Sequence, residues 1–295
     1  RVETARGVGR VGYPGPMTSK PKVTLVTCAS MPNLFHGEEG LPDELAQRGC
    51  DPRIAVWNDP DVDWDDAGMV VVRSVSDYAA DRSAFLEWAR GLRRVQNSAD
   101  VLDWNTDKHY LRDLAARGLP TIPTSWLEPE HGLSKHQIHT RFPAFGEFVI
   151  KPAVSSGVRD IGRYTTLSIS QRQAAMRQVQ SLLREGRSVM VQRYMEEIDV
   201  HGEISLVFFN GLVSHAVEKR AALHPASVTD PTVHEAVVTA EPADSVAWKW
   251  GEEIRRVLHD YVRERNGHDD LLLFNRVDLV PDGQGSFMVM EVSLV

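Results

Sequence analysis

The sequence predicts a small, largely parallel α/β domain followed by two α+β lobes. Three observations carry that expectation. Up to about residue 95, β-branched runs alternate with short helical segments, the pattern of strand–helix–strand units. Beyond it, strand-rich stretches flank single helices, and Asn210-Gly211 is a strong hairpin signal. A chain of 295 residues, 42% of them hydrophobic, can also bury the cores of two or three domains.

Residues 1–22 are basic, without the apolar centre of a signal peptide or helical periodicity. They read as a disordered tail, with Met17 the expected native start. The α/β domain is expected over 23–95. Its strands are VTLVTCA (23–29), RIAVW (53–57) and MVVVRSV (69–75), with a helix from Leu41 to Gln47 closed by Gly49. A second helix over 82–94 carries Phe85, Leu86, Ala89 and Leu92 on one stripe.

The first lobe is expected over 96–187. Thr106 precedes a helix bearing Lys108, Tyr110, Leu111 and Leu114 and closed by Gly118. Residues 147–165 read as strand, loop, strand. Ser168 and Gln171 have capping-box spacing before a helix with Ala175, Met176, Val179, Leu182 and Leu183 inward. The second lobe is expected over 188–295, with strands at 188–195 and 203–209 and a return from the Asn210-Gly211 turn. Loops around VHEAVVTA fill 221–245, and a helix over about 245–265 turns Trp250, Ile254, Val257, Leu258 and Tyr261 to one side. LLLFNRVDLV, the turn PDGQGS and FMVMEVSLV close the chain.

With 41 acidic against 33 basic side chains, nothing indicates a nucleic-acid surface. No apolar run reaches the roughly 18 residues that cross a bilayer. Cys28 and Cys50 lie beside strands and read as buried thiols, with no disulfide framework or zinc spacing. A cytoplasmic protein is expected.

The sharpest chemical signal is the last strand pair. Alternation puts Arg276 and Asp278 on one face with Leu272 and Phe274, and Glu291 and Ser293 on one face with Phe287 and Val289. Folded about the turn, Asp278 and Glu291 meet. Two neighbouring carboxylates in apolar surroundings repel, and a divalent cation such as magnesium relieves this. An Arg–carboxylate network on a solvated face is the competing reading. Lys151 ends a strand before Ser155, Ser156, Gly157 and Gly162, which offer donors to a phosphate chain, although simple hairpin loops look the same. A strict two-residue turn sets Glu203 against Glu218, a costly pair unless a cation or a bulge intervenes. Lys219 and Arg220 add positive charge nearby. A lone Lys108 is ordinarily solvated, and His36 and His215 read as structural or surface histidines. Arg73, Asp77 and Tyr78 follow the third strand, where open α/β sheets place ligand contacts.

Taken in order, WNTDKHYLRDLAARGLPTIPT, FVIKPAVSSG, VQRYMEEIDVHGEISLVFFNGLVSHAVEKR and FNRVDLV…FMVMEVSLV resemble the ATP-grasp superfamily. The likeness is to its glutathione-synthetase-like branch, which includes carboxylate–amine ligases of the O-ureido-D-serine cyclo-ligase type, and it covers about residues 70–295. It implies a small preceding domain, two lobes gripping ATP, and magnesium. By position, Lys108 and Lys151 match nucleotide lysines and 155–162 the loop over the phosphates. Gln192, Arg193, Tyr194 and Met195 match the adenine hinge, and Glu197 or Asp199 the ribose acid. Lys219 and Arg276 match the groups that offset phosphoryl charge, and Asp278 and Glu291 the magnesium ligands. Arg73, Asp77, Tyr78, Glu203 and His215 fall on the substrate side.

The implied reaction makes an acylphosphate from a small amino-acid-like carboxylate, which an amine or similar nucleophile then attacks. The partners implied are small molecules, and a homodimer is compatible with the reading. Ser293 stands where relatives often carry Asn or Glu, and the chain is expected to lack a short segment beyond Val295. A phosphotransferase and a non-catalytic nucleotide-binding protein are the alternatives. An oxidoreductase is disfavoured because no GxGxxG follows a strand.

Overall fold

A computed structural model describes residues 19–35, 37–219, 223, 238–239, 245–270 and 272–295. The expectations for the tail through residue 18, for His36 and Arg220, and for most of the 221–245 stretch lie outside the described residues.

The N-terminal domain runs β1 (Lys22–Thr27), α1 (Leu41–Gln47), β2 (Asp51–Val56), β3 (Met69–Ser74), α2 (Arg82–Gly91) and β4 (Val95–Gln96). Its sheet has the order β2-β1-β3-β4 and every pairing is parallel. Val26, Val70 and Val72 meet Phe85, Leu86 and Ala89 of α2, so the expected stripe is the buried one. The Asp81 carboxylate caps α2 by accepting from Ala84 N at 3.0 Å. The helix stops three residues short of the expected end because Leu92 is already extended, with ψ 140°.

Next come α3 (Ala99–Asn105), α4 (Tyr110–Ala116), β5 (Thr124–Leu127), α5 (Lys135–His139), β6 (Glu147–Pro152), β7 (Gly162–Thr165), α6 (Ile169–Arg184) and β8 (Val189–Arg193). The middle sheet has the order β5-β8-β6-β7 and is antiparallel. A lobe boundary at 187/188 cuts this sheet, because β8 lies between β5 and β6. Ser168 Oγ caps α6 by accepting from Gln171 N at 3.4 Å, but Gln171 Oε1 accepts from Thr165 N instead of closing the box. The complete box is at Ser134 and Gln137, on a helix of five residues too short to show periodicity.

The last part holds α7 (Glu197–His201), β9 (Glu203–Phe209), β10 (Leu212–Lys219), β11 (Val238–Thr239), α8 (Ser245–Asn266), β12 (Phe274–Pro281) and β13 (Phe287–Ser293). Its antiparallel sheet is ordered β11-β10-β9-β12-β13. One face packs on Ile254, Leu258 and Val262 of α8, and also on Val101, Trp104, Leu111 and Leu114. Thus α3 and α4 join the core of the last lobe, although they precede the middle sheet in the chain.

Two β-bulges set the registers: the first is the one allowed for beside Glu203, and the second overturns the expected face of Val289. Ser214 is the extra residue in β10, so Lys219, not Glu218, lies opposite Glu203. An opposite-charge pair replaces a like-charge one. Met290 is the extra residue in β13: Asp278 pairs with Glu291, and Leu279 with Val289. Val289 is therefore fully buried in the core with Val277 and Leu279, on the opposite face from Glu291. Leu272 likewise joins that core, ahead of β12, instead of sharing a face with Arg276. Among the described residues no helix is long and apolar enough to cross a membrane.

Candidate active site

All three parts of the molecule wall one cleft of about 560 Å³. The middle sheet contributes Lys151 from the end of β6, with Ser155, Ser156 and Gly157 after it, and Gln192 to Met195 from β8 and its exit. The last sheet contributes Glu203, Lys219, Arg276, Asp278, Met290, Glu291 and Ser293. The N-terminal domain closes the far side with Phe35, Glu38, Arg73 and Tyr78.

Strand registry assembles the charged floor. Ser205 of β9 and Glu291 of β13 both lie opposite Asp278 of β12. Ser205 Oγ donates to Asp278 Oδ1 at 2.5 Å, and Arg276 grips both oxygens, with Nε to Oδ1 and Nη2 to Oδ2 each at 2.9 Å. Lys219 Nζ is 3.4 Å from Glu203 Oε1 and 3.7 Å from Asp278 Oδ1. Burial by itself would raise the Asp278 carboxyl, but Arg276, Lys219 and Ser205 together hold it below the usual range. Burial acts on Glu291 in the same sense and is outweighed by Lys108, Lys151 and Arg276. Glu203 has no such surplus: burial, then the Asp278 charge, pushes it up to about 7.

Four cations (Lys108, Lys151, Lys219 and Arg276) thus surround three crowded carboxylates, so the cleft floor suits a polyanion. Magnesium fits the same floor. Asp278 and Glu291 are cross-strand neighbours with hard oxygen donors, and the ion would relieve the crowding that raises Glu203. The Ser293 hydroxyl donates to Val295 O at 3.0 Å, leaving two carboxylates for it. No group of three or more His, Cys, Asp or Glu side chains that could hold a metal ion occurs among the described residues.

Residues singled out from sequence that line the cleft include Arg73, Tyr78, Lys151, Ser155, Ser156, Gly157, Gln192, Arg193, Tyr194, Met195, Glu203, Lys219, Arg276, Asp278, Glu291 and Ser293. Ser155 turns its hydroxyl inward to Pro152 O at 3.2 Å. Arg73 pairs with Glu38 and lies 4.2 Å over the Phe274 ring.

Lys108 is neither helical nor solvated. It sits in the turn between α3 and α4, buried, with Nζ donating to Ser155 O at 2.9 Å and 3.6 Å from Glu291. Lys108 itself, like Asp77, Glu197, Asp199 and His215, does not line the cleft. Asp77 accepts from Trp57 Nε1 at 2.8 Å, Glu197 pairs with His201, and His215 is exposed on β10. Asp199 accepts from Arg163 and, at 2.6 Å, from Tyr194 Oη, while Arg163 stacks 3.6 Å over the Tyr194 ring and pairs with Glu147. That clasp ties β7 to α7 beside the Gln192 to Met195 segment.

Sequence reasoning missed Glu38, Ser205 and Met290. Ser205 had a signal, as a small polar residue alternating with Glu203 inside an apolar strand. Glu38 had none, because its loop has no periodicity.

Residues 23–102 match the family described as the N-terminal domain of the D-cycloserine synthetase DcsG. The cycloserine biosynthesis protein DcsG of Streptomyces lavendulae is 35% identical over 254 residues, 83% of this chain and 81% of that protein. A crystal structure of D-cycloserine synthetase DcsG is similar with a TM-score of 0.78 at 31% identity, over 92% of this chain and 91% of that one. D-alanine–D-alanine ligase from Bacillus anthracis complexed with ATP shares the fold, with a TM-score of 0.58 at 14% identity over 92% and 86% of the two chains.

Proposed function

This chain belongs to the D-cycloserine synthetase family of ATP-grasp carboxylate–amine ligases, and from that premise we propose how its own residues divide the work. The chain is an ATP- and Mg²⁺-dependent ligase that activates a carboxylate as an acylphosphate for attack by an amine-type nucleophile.

In this reading the adenine lies against Gln192 to Met195, and Lys151 and the Ser156–Gly157 segment hold the phosphates. The carboxylate oxygen of the substrate attacks the γ-phosphorus in line, and ADP leaves. Lys219 and Arg276 offset charge on the transferring phosphoryl oxygens. Asp278 and Glu291 would hold magnesium, which would supply further positive charge at the phosphate oxygens. Arg276 releases one Asp278 oxygen as it turns to the phosphoryl group. Attack on the acyl carbon then expels phosphate, with no enzyme nucleophile required. The far wall, where Arg73 pairs with Glu38, receives the remainder of a small amino-acid-like substrate. By analogy with the DcsG relatives, that substrate carries its own nucleophile and closes a ring. The enzyme works in the cytoplasm, where ATP is supplied.

The convergence of Lys151, Lys219, Arg276, Asp278 and Glu291 on one cleft carries this reading. Its test is ADP release that requires both magnesium and a carboxylate substrate. Asp278→Asn should lower that turnover by about 100-fold or more, with the far-UV spectrum of the folded protein retained. Undiminished turnover removes Asp278 from the metal site. A ring-closed or condensed product free of phosphate supports the ligase, whereas a phosphorylated product points to phosphotransfer.

A further inference from the structure

The carbonyl oxygen of Ser155 receives two buried side-chain donors from different parts of the molecule. Tyr78 Oη reaches it from the N-terminal domain at 3.2 Å, and Lys108 Nζ from the α3–α4 turn at 2.9 Å. The neighbouring backbone is held as well: Lys108 N donates to Ala153 O at 2.9 Å, and Ser155 Oγ to Pro152 O at 3.2 Å. Residue 155 is therefore anchored through its side chain and its carbonyl, while Gly157 to Asp160 are exposed.

A trans peptide is planar, with its C=O and N–H pointing in opposite directions. The one cis peptide among the described residues joins Gln96 to Asn97, so the 155–156 peptide is trans. With its carbonyl drawn toward Tyr78 and Lys108, that peptide turns the Ser156 N–H the other way. Ser156 and Gly157 line the cleft together with Lys151. A backbone N–H fixed before the reaction, where charge develops during it, stabilises a transition state without reorganisation.

We propose that Tyr78 is a positioning residue: its hydroxyl, with Lys108, sets the Ser155–Ser156 peptide so that Ser156 N–H is a preset donor to the transferred phosphoryl group. This rests on the ligase reading above. Because one of the two donors belongs to the N-terminal domain, the geometry of phosphoryl transfer depends on how that domain is docked. Burial and the Glu291 charge raise the Tyr78 phenol far above its ordinary range, so it remains a donor throughout the working pH range.

Tyr78→Phe tests this, since the ring keeps its packing on Phe85, 5.7 Å between centroids, and loses only the hydroxyl. At saturating ATP, kcat for carboxylate-dependent ADP release should fall about tenfold, with the carboxylate KM within about twofold of the parent. In the nucleotide-free protein, tryptic cleavage after the exposed Arg159 should accelerate about fivefold, with other sites unaffected. A raised carboxylate KM at unchanged kcat would make Tyr78 a direct substrate contact and overturn the proposal. Cleavage that rises at every tryptic site also overturns it, because the hydroxyl is then merely structural. So do kcat and Arg159 cleavage both matching the parent. The cleavage measurement needs no turnover, so a parent protein lacking carboxylate-dependent ADP release sinks the ligase reading while the anchoring of the loop is still read.

Discussion

At the scale of single residues, burial decides what each charge in the cleft can do. Lys151 is the penultimate residue of β6, whose last five residues are all buried, and burial pushes its ammonium down to about 8. Glu291 opposes that shift and Lys108 adds to it. The free enzyme therefore carries the charge below about pH 8 and loses it above. A bound polyphosphate favours the charged form, so binding raises this pKa. Affinity for a non-hydrolysable ATP analogue should fall up to about tenfold per unit above that pH. Calorimetry at about pH 9 in buffers of different ionisation enthalpy should record uptake approaching one proton, and Lys151→Met should abolish it. Zero uptake in the parent would detach Lys151 from the phosphates. Lys151 was legible as a charge at a strand end facing a Ser/Gly loop. The burial of Lys108 was not, since its partner Ser155 lies 47 residues away.

At the scale of elements, the bulges explain why correct strands did not yield correct registers. Alternation identified β9, β10, β12 and β13 and brought Asp278 to Glu291. It could not place Ser214 or Met290, because a bulge relieves conflicts with a neighbouring strand that local sequence does not contain. At Ser214 the conflict is Glu203 against Glu218; at Met290 it is the need to bury Val289 while Glu291 faces the cleft. Deleting Ser214 removes only the unpaired residue and keeps Lys219 opposite Glu203. Such a variant should fold with stability within about 1 kcal/mol of the parent by urea unfolding and retain turnover. A loss several times larger would mean that the bulge itself shapes the hairpin.

At the scale of the whole molecule, two buried asparagines fasten the N-terminal domain and α3 to the last lobe. Asn97 donates to Phe274 O at 2.8 Å and Leu294 O at 2.6 Å, and accepts from Leu273 N at 2.7 Å. Asn105 donates to Val292 O at 2.9 Å and accepts from Leu294 N at 2.7 Å. Arg73 over Phe274 and Val295 against the N-terminal core extend the same seam. Asn97→Ala strands three backbone groups and should cost about 3 kcal/mol. In a background with Trp104, Trp126, Trp248 and Trp250 replaced by Phe, fluorescence and far-UV signals should then separate during denaturation, because Trp57, Trp64 and Trp88 report the N-terminal domain. Coincident transitions at the parent's midpoint would show that the seam contributes little.

The sequence by itself determined the α/β-then-α+β order, most strands and helices, and the residue types that meet at the charged floor. These depend on periodicities of two and 3.6 and on turn chemistry, all contained within a few residues. Only the tertiary structure decided that β8 completes the middle sheet, that α3 and α4 cover the last one, and that Glu203 enters the cleft while Glu197 and Asp199 do not. Those outcomes depend on which surfaces bury one another across tens or hundreds of residues, and no local window of sequence carries that competition.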